Sequence, residues 1–199
     1  MYVDVHTHLT HEEFDQDWEA VIKRAETVGL KAIIVNGLEP QSNRRILEMA
    51  KKFPVIKPAL GIYPVNAAFD KVPLDLPFKV PAFDRDAEVQ FIADCAKNGK
   101  LTAIGECGLD LHWIRQDSLA IQEKYWIKLL EIGMKYDLPV IIHSRKAEQR
   151  CVEVLAHHGV KKVNFHCYGG KVKQAVDAAE KNGWYFSIPA NCIHNQSFQ

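Results

Sequence analysis

The chain has 199 residues, 47% of them hydrophobic, enough to bury one sizeable core within a single domain over residues 1–199. Lys plus Arg and Asp plus Glu number 25 each, and a formal net charge of zero gives no support to a broad electrostatic grip on nucleic acid, although a local patch stays open. A membrane span of roughly 18 apolar residues is absent, the start MYVDVHTHLTHEEF lacks a signal-peptide pattern, and five cysteines without a C-x-x-C pair fit a reducing compartment, so a soluble cytoplasmic protein is expected.

Short apolar runs alternate with amphipathic stretches, the pattern of repeated βα units and a parallel sheet. YVDV at 2–5 reads as the first strand. Trp18, Val21, Ile22, Ala25 and Val28 recur at helical spacing, and Gly29 closes that helix. KAIIVN at 31–36 is the second strand, followed by a helix carrying Ile46, Leu47, Met49 and Ala50. VIKPAL at 55–60 is the third. Residues 61–84, punctuated by Pro64, Pro73, Pro77 and Pro81, read as one long ordered loop of the kind that is often functional. A helix over about 85–98 leads to LTAIG at 101–105, and a long helix over about 118–136 follows. PVIIH at 139–143 and KVNFH at 162–166 are the fifth and sixth strands, with a helix through Val152, Val154 and Leu155 between them. A helix carrying Val172, Ala175, Val176 and Ala179 precedes WYFSI at 184–188. Seven such units predict a TIM-type (β/α) barrel incomplete at its C-terminus. A doubly wound open sheet is the alternative, but no G-x-G-x-x-G or Walker-type loop supports it.

His6 and His8 share one face of the first strand, so two imidazoles can serve one metal. Glu106, His143 and His166 each follow a short apolar run, and in a barrel all these residues converge on one mouth. Any one strand-end histidine is more often a hydrogen-bonded core or loop residue; the joint pattern points to a metal centre. Imidazole and carboxylate suit Zn²⁺, Mn²⁺ or Fe²⁺, and Glu106 can bridge two cations about 3.5–4 Å apart. Arg145, two residues past His143, can clamp a substrate phosphate or form a surface salt bridge. Tyr63 and Trp113 can stack on a base, with core or rim packing the favoured role. Asp4 and Asp110 read as supports or caps for the ligand motifs. Cys95, Cys107, Cys151 and Cys192 read as packing, and His112, His157 and His158 as outside the site. His11 is ambiguous, and His194 reads as a solvated residue that could reach the metals.

DVHTHL, ALGIYP, AIGECGLD, LPVIIHSR and NFHCYGG together resemble the TatD family of metal-dependent hydrolases, within the amidohydrolase superfamily. The resemblance runs along essentially the whole chain. It implies a TIM-type barrel, metal-dependent DNA hydrolysis and two divalent ions: His6 and His8 on the first, Glu106 bridging, and His143 and His166 on the second. It also implies a final metal-binding aspartate, in a T-D-x-P-like stretch after an eighth strand, beyond Gln199. Asp177 lies in a helical run and does not replace it. The 199-residue chain is therefore expected to bind metal weakly, to turn over little, and to self-associate or take a partner chain over an open barrel edge. Two other readings stay open: the same fold acting on a small phosphoester, amide or lactone, and a binding protein without turnover.

Overall fold

A computed structural model describes residues 2–194. Its strands are β1 (Tyr2–Thr7), β2 (Leu30–Asn36), β3 (Ile56–Leu60), β4 (Ala103–Asp110), β5 (Val140–Arg145), β6 (Val163–His166) and β7 (Tyr185–Ser187). Between them run α1 (Trp18–Thr27), α2 (Pro40–Lys52), α3 (Pro64–Ala67), α4 (Arg85–Lys97), α5 (Leu119–Lys135), α6 (Glu148–His157) and α7 (Val172–Asn182).

The seven strands form one sheet in unbroken sequence order, and every neighbouring pair is parallel. A doubly wound sheet reverses its order at a switch point; here there is no reversal, and the strands curl into a nearly closed barrel. The core between strands and helices includes Ile22, Ile46, Ile92, Leu129, Leu130 and Leu155, each fully buried. Burying such a side chain stabilises the fold by about 1.5–3 kcal/mol. Inside the barrel, Ala59, Ala103 and Ile141 form a small apolar cluster, with Ile34 against it.

Local chemistry sets the helix ends. Glu39 accepts from the backbone N–H groups of Gln41 and Ser42, the Ser42 hydroxyl accepts from the N–H of Glu39, and Pro40 occupies the first turn of α2. Gly183 ends α7 at φ 72, a left-handed conformation that costs glycine little.

Three features depart from the sequence reading. The segment 61–84 is not all loop: α3 and a 3-10 turn at Phe69–Lys71 break it, and Val65 and Ala68 pack with Ile114 into a cluster of their own. Strands β4 and β5 run on to Asp110 and Arg145, because each finds a partner along its extended end. Finally, Cys192 is half-buried; Cys95, Cys107 and Cys151 are buried packing residues as read.

Candidate metal centre

β1 carries His6 near its end and His8 just beyond it. Its register with β2 slips between Asp4 and Thr7, and Asp4 Oδ1 accepts the His6 backbone N–H at 3.1 Å. The two histidines meet with their Nε2 atoms 2.9 Å apart. His8 is held from behind: its Nδ1 lies 3.1 Å from the carbonyl oxygen of Asn36 at the end of β2. A carbonyl only accepts, so Nδ1 carries a proton and Nε2 faces inward.

Glu106 is the hub. The register between β4 and β5 slips between Ile104 and Cys107, an irregularity of the kind that re-aims a side chain. Its carboxylate is only 2% exposed. Oε2 lies 3.0 Å from His8 Nε2 and 3.5 Å from His6 Nε2. Oε1 lies 2.8 Å from His143 Nδ1 and 2.7 Å from His166 Nε2. The His6 and His166 rings stack, 3.7 Å between centroids and 5° from parallel. Ligand atoms of His6, Glu106 and His166 all fall within 4.8 Å of one another.

The backbone beneath Glu106 admits nothing larger than glycine. A Cβ on Gly61 would stand 2.4 Å from the Glu106 carbonyl oxygen. Asn43 of α2 keeps Gly61 there: it donates to the Gly61 carbonyl at 2.9 Å and accepts its N–H at 3.2 Å. The same Asn43 amide donates to buried Glu88 at 2.7 Å, and Arg44 pairs with the other carboxylate oxygen.

Charge follows geometry. Burial would raise the Glu106 carboxyl, but His166, His143 and His8 outweigh it and hold Glu106 well below the usual carboxylate range. Burial drives His6 down to about 3, against the pull of Glu106. Burial would also lower His143, yet Asp110 and Glu106 carry it up to about 9. The residues fit a divalent ion: buried imidazoles converge on one ionised carboxylate with no thiolate, and the buried Nδ1 of His6 has no partner among the described residues.

The four sequence-predicted imidazoles thus meet around Glu106, the fifth candidate ligand. Arg145 is exposed at the rim, with its guanidinium 5.2 Å from the Trp113 ring centre. Trp113 also packs edge-on against Phe78. His112 contacts Trp113, His157 and His158 contact each other, and His11 accepts from the Glu13 N–H, all apart from the cluster. His194 is exposed. Asp177, within α7, is the last aspartate of the 199 residues, so the final aspartate that the resemblance implies is not among them. Sequence reasoning missed Asn43 and Gln122 altogether and read Tyr63 as packing. The Tyr63 hydroxyl donates to Asp110 at 3.3 Å, and its ring meets His143 edge-on at 4.8 Å. A polar residue on the Ile46 face of α2 was the one available signal for Asn43.

A parallel barrel with imidazoles and a carboxylate at its strand ends defines the class of barrel-fold metal-dependent hydrolases. Residues 3–198 match the family described as TatD related DNase, and the chain belongs to that family. It is 30% identical over 190 residues to the uncharacterized metal-dependent hydrolase YabD of Bacillus subtilis, covering 94% of this chain and 68% of that protein. It is 26% identical over 188 residues to the 3'-5' ssDNA/RNA exonuclease TatD of Salmonella typhimurium, covering 93% and 66%. The crystal structure of YJJV, a TatD homologue from Escherichia coli, superposes with a TM-score of 0.77 at 26% identity, covering 94% of this chain and 67% of that one. The chain therefore spans about two thirds of the length of these relatives.

Proposed function

We propose that this chain hydrolyses phosphodiester bonds in DNA at two divalent ions, with His6 and His8 holding the first, His143 and His166 the second, and Glu106 between them. The observation that carries this reading is the placing of four imidazoles on the two oxygens of one buried, ionised carboxylate. Bound divalent ions supply Lewis acidity, polarising a phosphoryl oxygen and lowering the pKa of water. The chain's own part is positional. Asn36 turns His8, Asn43 and Gly61 hold the backbone under Glu106, and burial keeps bulk water from competing for the carboxylate.

Arg145 is the candidate for binding a substrate phosphate, because it stands at the mouth two residues beyond His143 on β5. Its guanidinium already packs near Trp113, so a phosphate bound there lies beside an aromatic wall. The similarity to the 3'-5' ssDNA/RNA exonuclease TatD of Salmonella typhimurium supports a nucleic-acid substrate over a small ester. The partner reading follows from the open seam: Tyr2, Val3, Tyr185 and Ile188 are exposed beside it, so a second copy or another chain covering it is favoured. No helix among the described residues is long and apolar enough to cross a membrane.

The test is cleavage of short end-labelled single-stranded DNA by the purified chain, with manganese, zinc or magnesium added after chelation. Slow cleavage, restored only at high metal concentration and abolished by Glu106→Ala, is the expected result. Cleavage unaffected by chelator, or surviving in Glu106→Ala, would overturn the reading. Hydrolysis of a lactone or phosphomonoester with intact DNA would replace the substrate and leave the site standing.

A further inference from the structure

Asp110 is fully buried at the end of β4, and its carboxylate accepts from four donors. Oδ1 takes the backbone N–H groups of His112 at 2.8 Å and Trp113 at 2.7 Å. Oδ2 faces His143 Nε2 at 2.9 Å and the Tyr63 hydroxyl at 3.3 Å. Its backbone is clamped as well: Gln122 accepts the Asp110 N–H at 2.8 Å and donates to its carbonyl at 3.0 Å. Gln122 in turn donates to Ser118 at 2.8 Å. A carboxylate with this anchorage has no rotation left to it, and as an ionised acceptor it demands a proton on whatever nitrogen faces it.

We propose that Asp110 is the positioning residue that keeps a proton on Nε2 of His143, so that the proton given up on metal binding is the one on Nδ1, which faces Glu106, and Nδ1 is the atom offered to the ion. The proposal rests on the reading of His143 as a ligand. The hydrogen-bond pattern makes it specific. Two backbone N–H groups cannot reverse their polarity, so in Asp110→Asn the amide oxygen stays with them and the NH₂ group replaces Oδ2. The Tyr63 hydroxyl can turn and accept. His143 can accept there only by giving up its Nε2 proton and keeping the one on Nδ1, which leaves no lone pair on Nδ1 for an ion. The change is isosteric, so it acts on the tautomer and leaves the packing in place. The same carboxylate also caps the turn that carries Trp113, which ties the rim beside Arg145 to the ring orientation of His143.

The test uses the full chain labelled with ¹⁵N at histidine and loaded with zinc, read by long-range ¹H–¹⁵N correlation spectra. Wild-type His143 is expected to show a proton on Nε2 and a metal-shifted Nδ1. In Asp110→Asn the Nε2 proton signal disappears, and the zinc concentration needed to shift the His143 resonances rises about 10–100-fold. Unchanged His143 spectra and zinc requirement in a folded Asp110→Asn would overturn the proposal. So would a wild-type zinc-loaded spectrum with the proton on Nδ1, which decides the matter even if the variant does not fold. His143→Ala separates the two claims. If it binds as much zinc per chain as the wild type, the ligand reading of His143 itself fails. If it loses zinc while Asp110→Asn does not, Asp110 alone is misassigned.

Discussion

The β4–β5 wall and the β7–β1 seam lie on opposite sides of the barrel and are built on opposite plans. All eight residues of β4 are buried, as are five of the six in β5, and α5 seals them with Trp126, Leu129 and Leu130. At the seam no residue of β1 or β7 is fully buried, β7 is three residues long, and a cleft of about 490 Å³ opens between His6, His166 and Ile188. Glu106, Asp110 and His143 stand on the wall, whereas His6 lies on β1 and His8 just past it, at the seam, and His166 ends β6, one strand in from it. Two of the five candidate ligands, Glu106 and His143, are therefore fixed by packing before any ion arrives. The other three, His6, His8 and His166, meet Glu106 from the less buried side, so a bound ion would tie that side of the barrel to the wall.

Four measurements can break or sharpen this contrast. Glu106→Ala removes the carboxylate that joins the two sides, and we expect unfolding in chelator to become easier by about 3–5 kcal/mol, with zinc no longer stabilising the chain. A loss below 1 kcal/mol in denaturant titration would show that the histidines are held by packing alone. Next in size, Leu129→Ala on the wall should cost about 2–5 kcal/mol, while Val172→Ala, exposed on α7 beside the seam, should stay within about 0.5 kcal/mol. Equal costs would erase the distinction. Tyr185→Lys, at a side chain 74% exposed on β7, should leave stability within about 0.5 kcal/mol but shift sedimentation toward smaller species. An unchanged sedimentation profile would remove the seam as a self-association surface. The smallest effect is one of thiol reactivity: burial pushes Cys107 and Cys151 on the wall side far above their ordinary pKa. A disulfide reagent at pH 8 should therefore label exposed Cys167 well before either.

Much of the site was legible because strand periodicity and apolar run length are local properties. His6 and His8 two residues apart, and an acid or histidine after each of three apolar runs, already specify one mouth once the strands are parallel and in order. The partners of these ligands were not legible. Asn43 reaches Gly61 across 18 positions, and His143 reaches Asp110 across 33, distances over which no local pattern carries information. Tyr63 read as packing because its ring does pack; only its position relative to β4 gives the hydroxyl a partner. Segment 61–84 read as one loop because prolines mask a helix of four residues.

Local sequence determined the alternation of strand and helix, the parallel order and the identity of five candidate ligands, since each depends on side-chain pattern within a few residues. Tertiary structure alone decided which nitrogen of each histidine faces Glu106, which backbone holds that carboxylate, and which side of the barrel is rigid. Those outcomes depend on contacts between groups far apart in the chain, where burial removes water as the competing partner and leaves one arrangement of donors and acceptors satisfied.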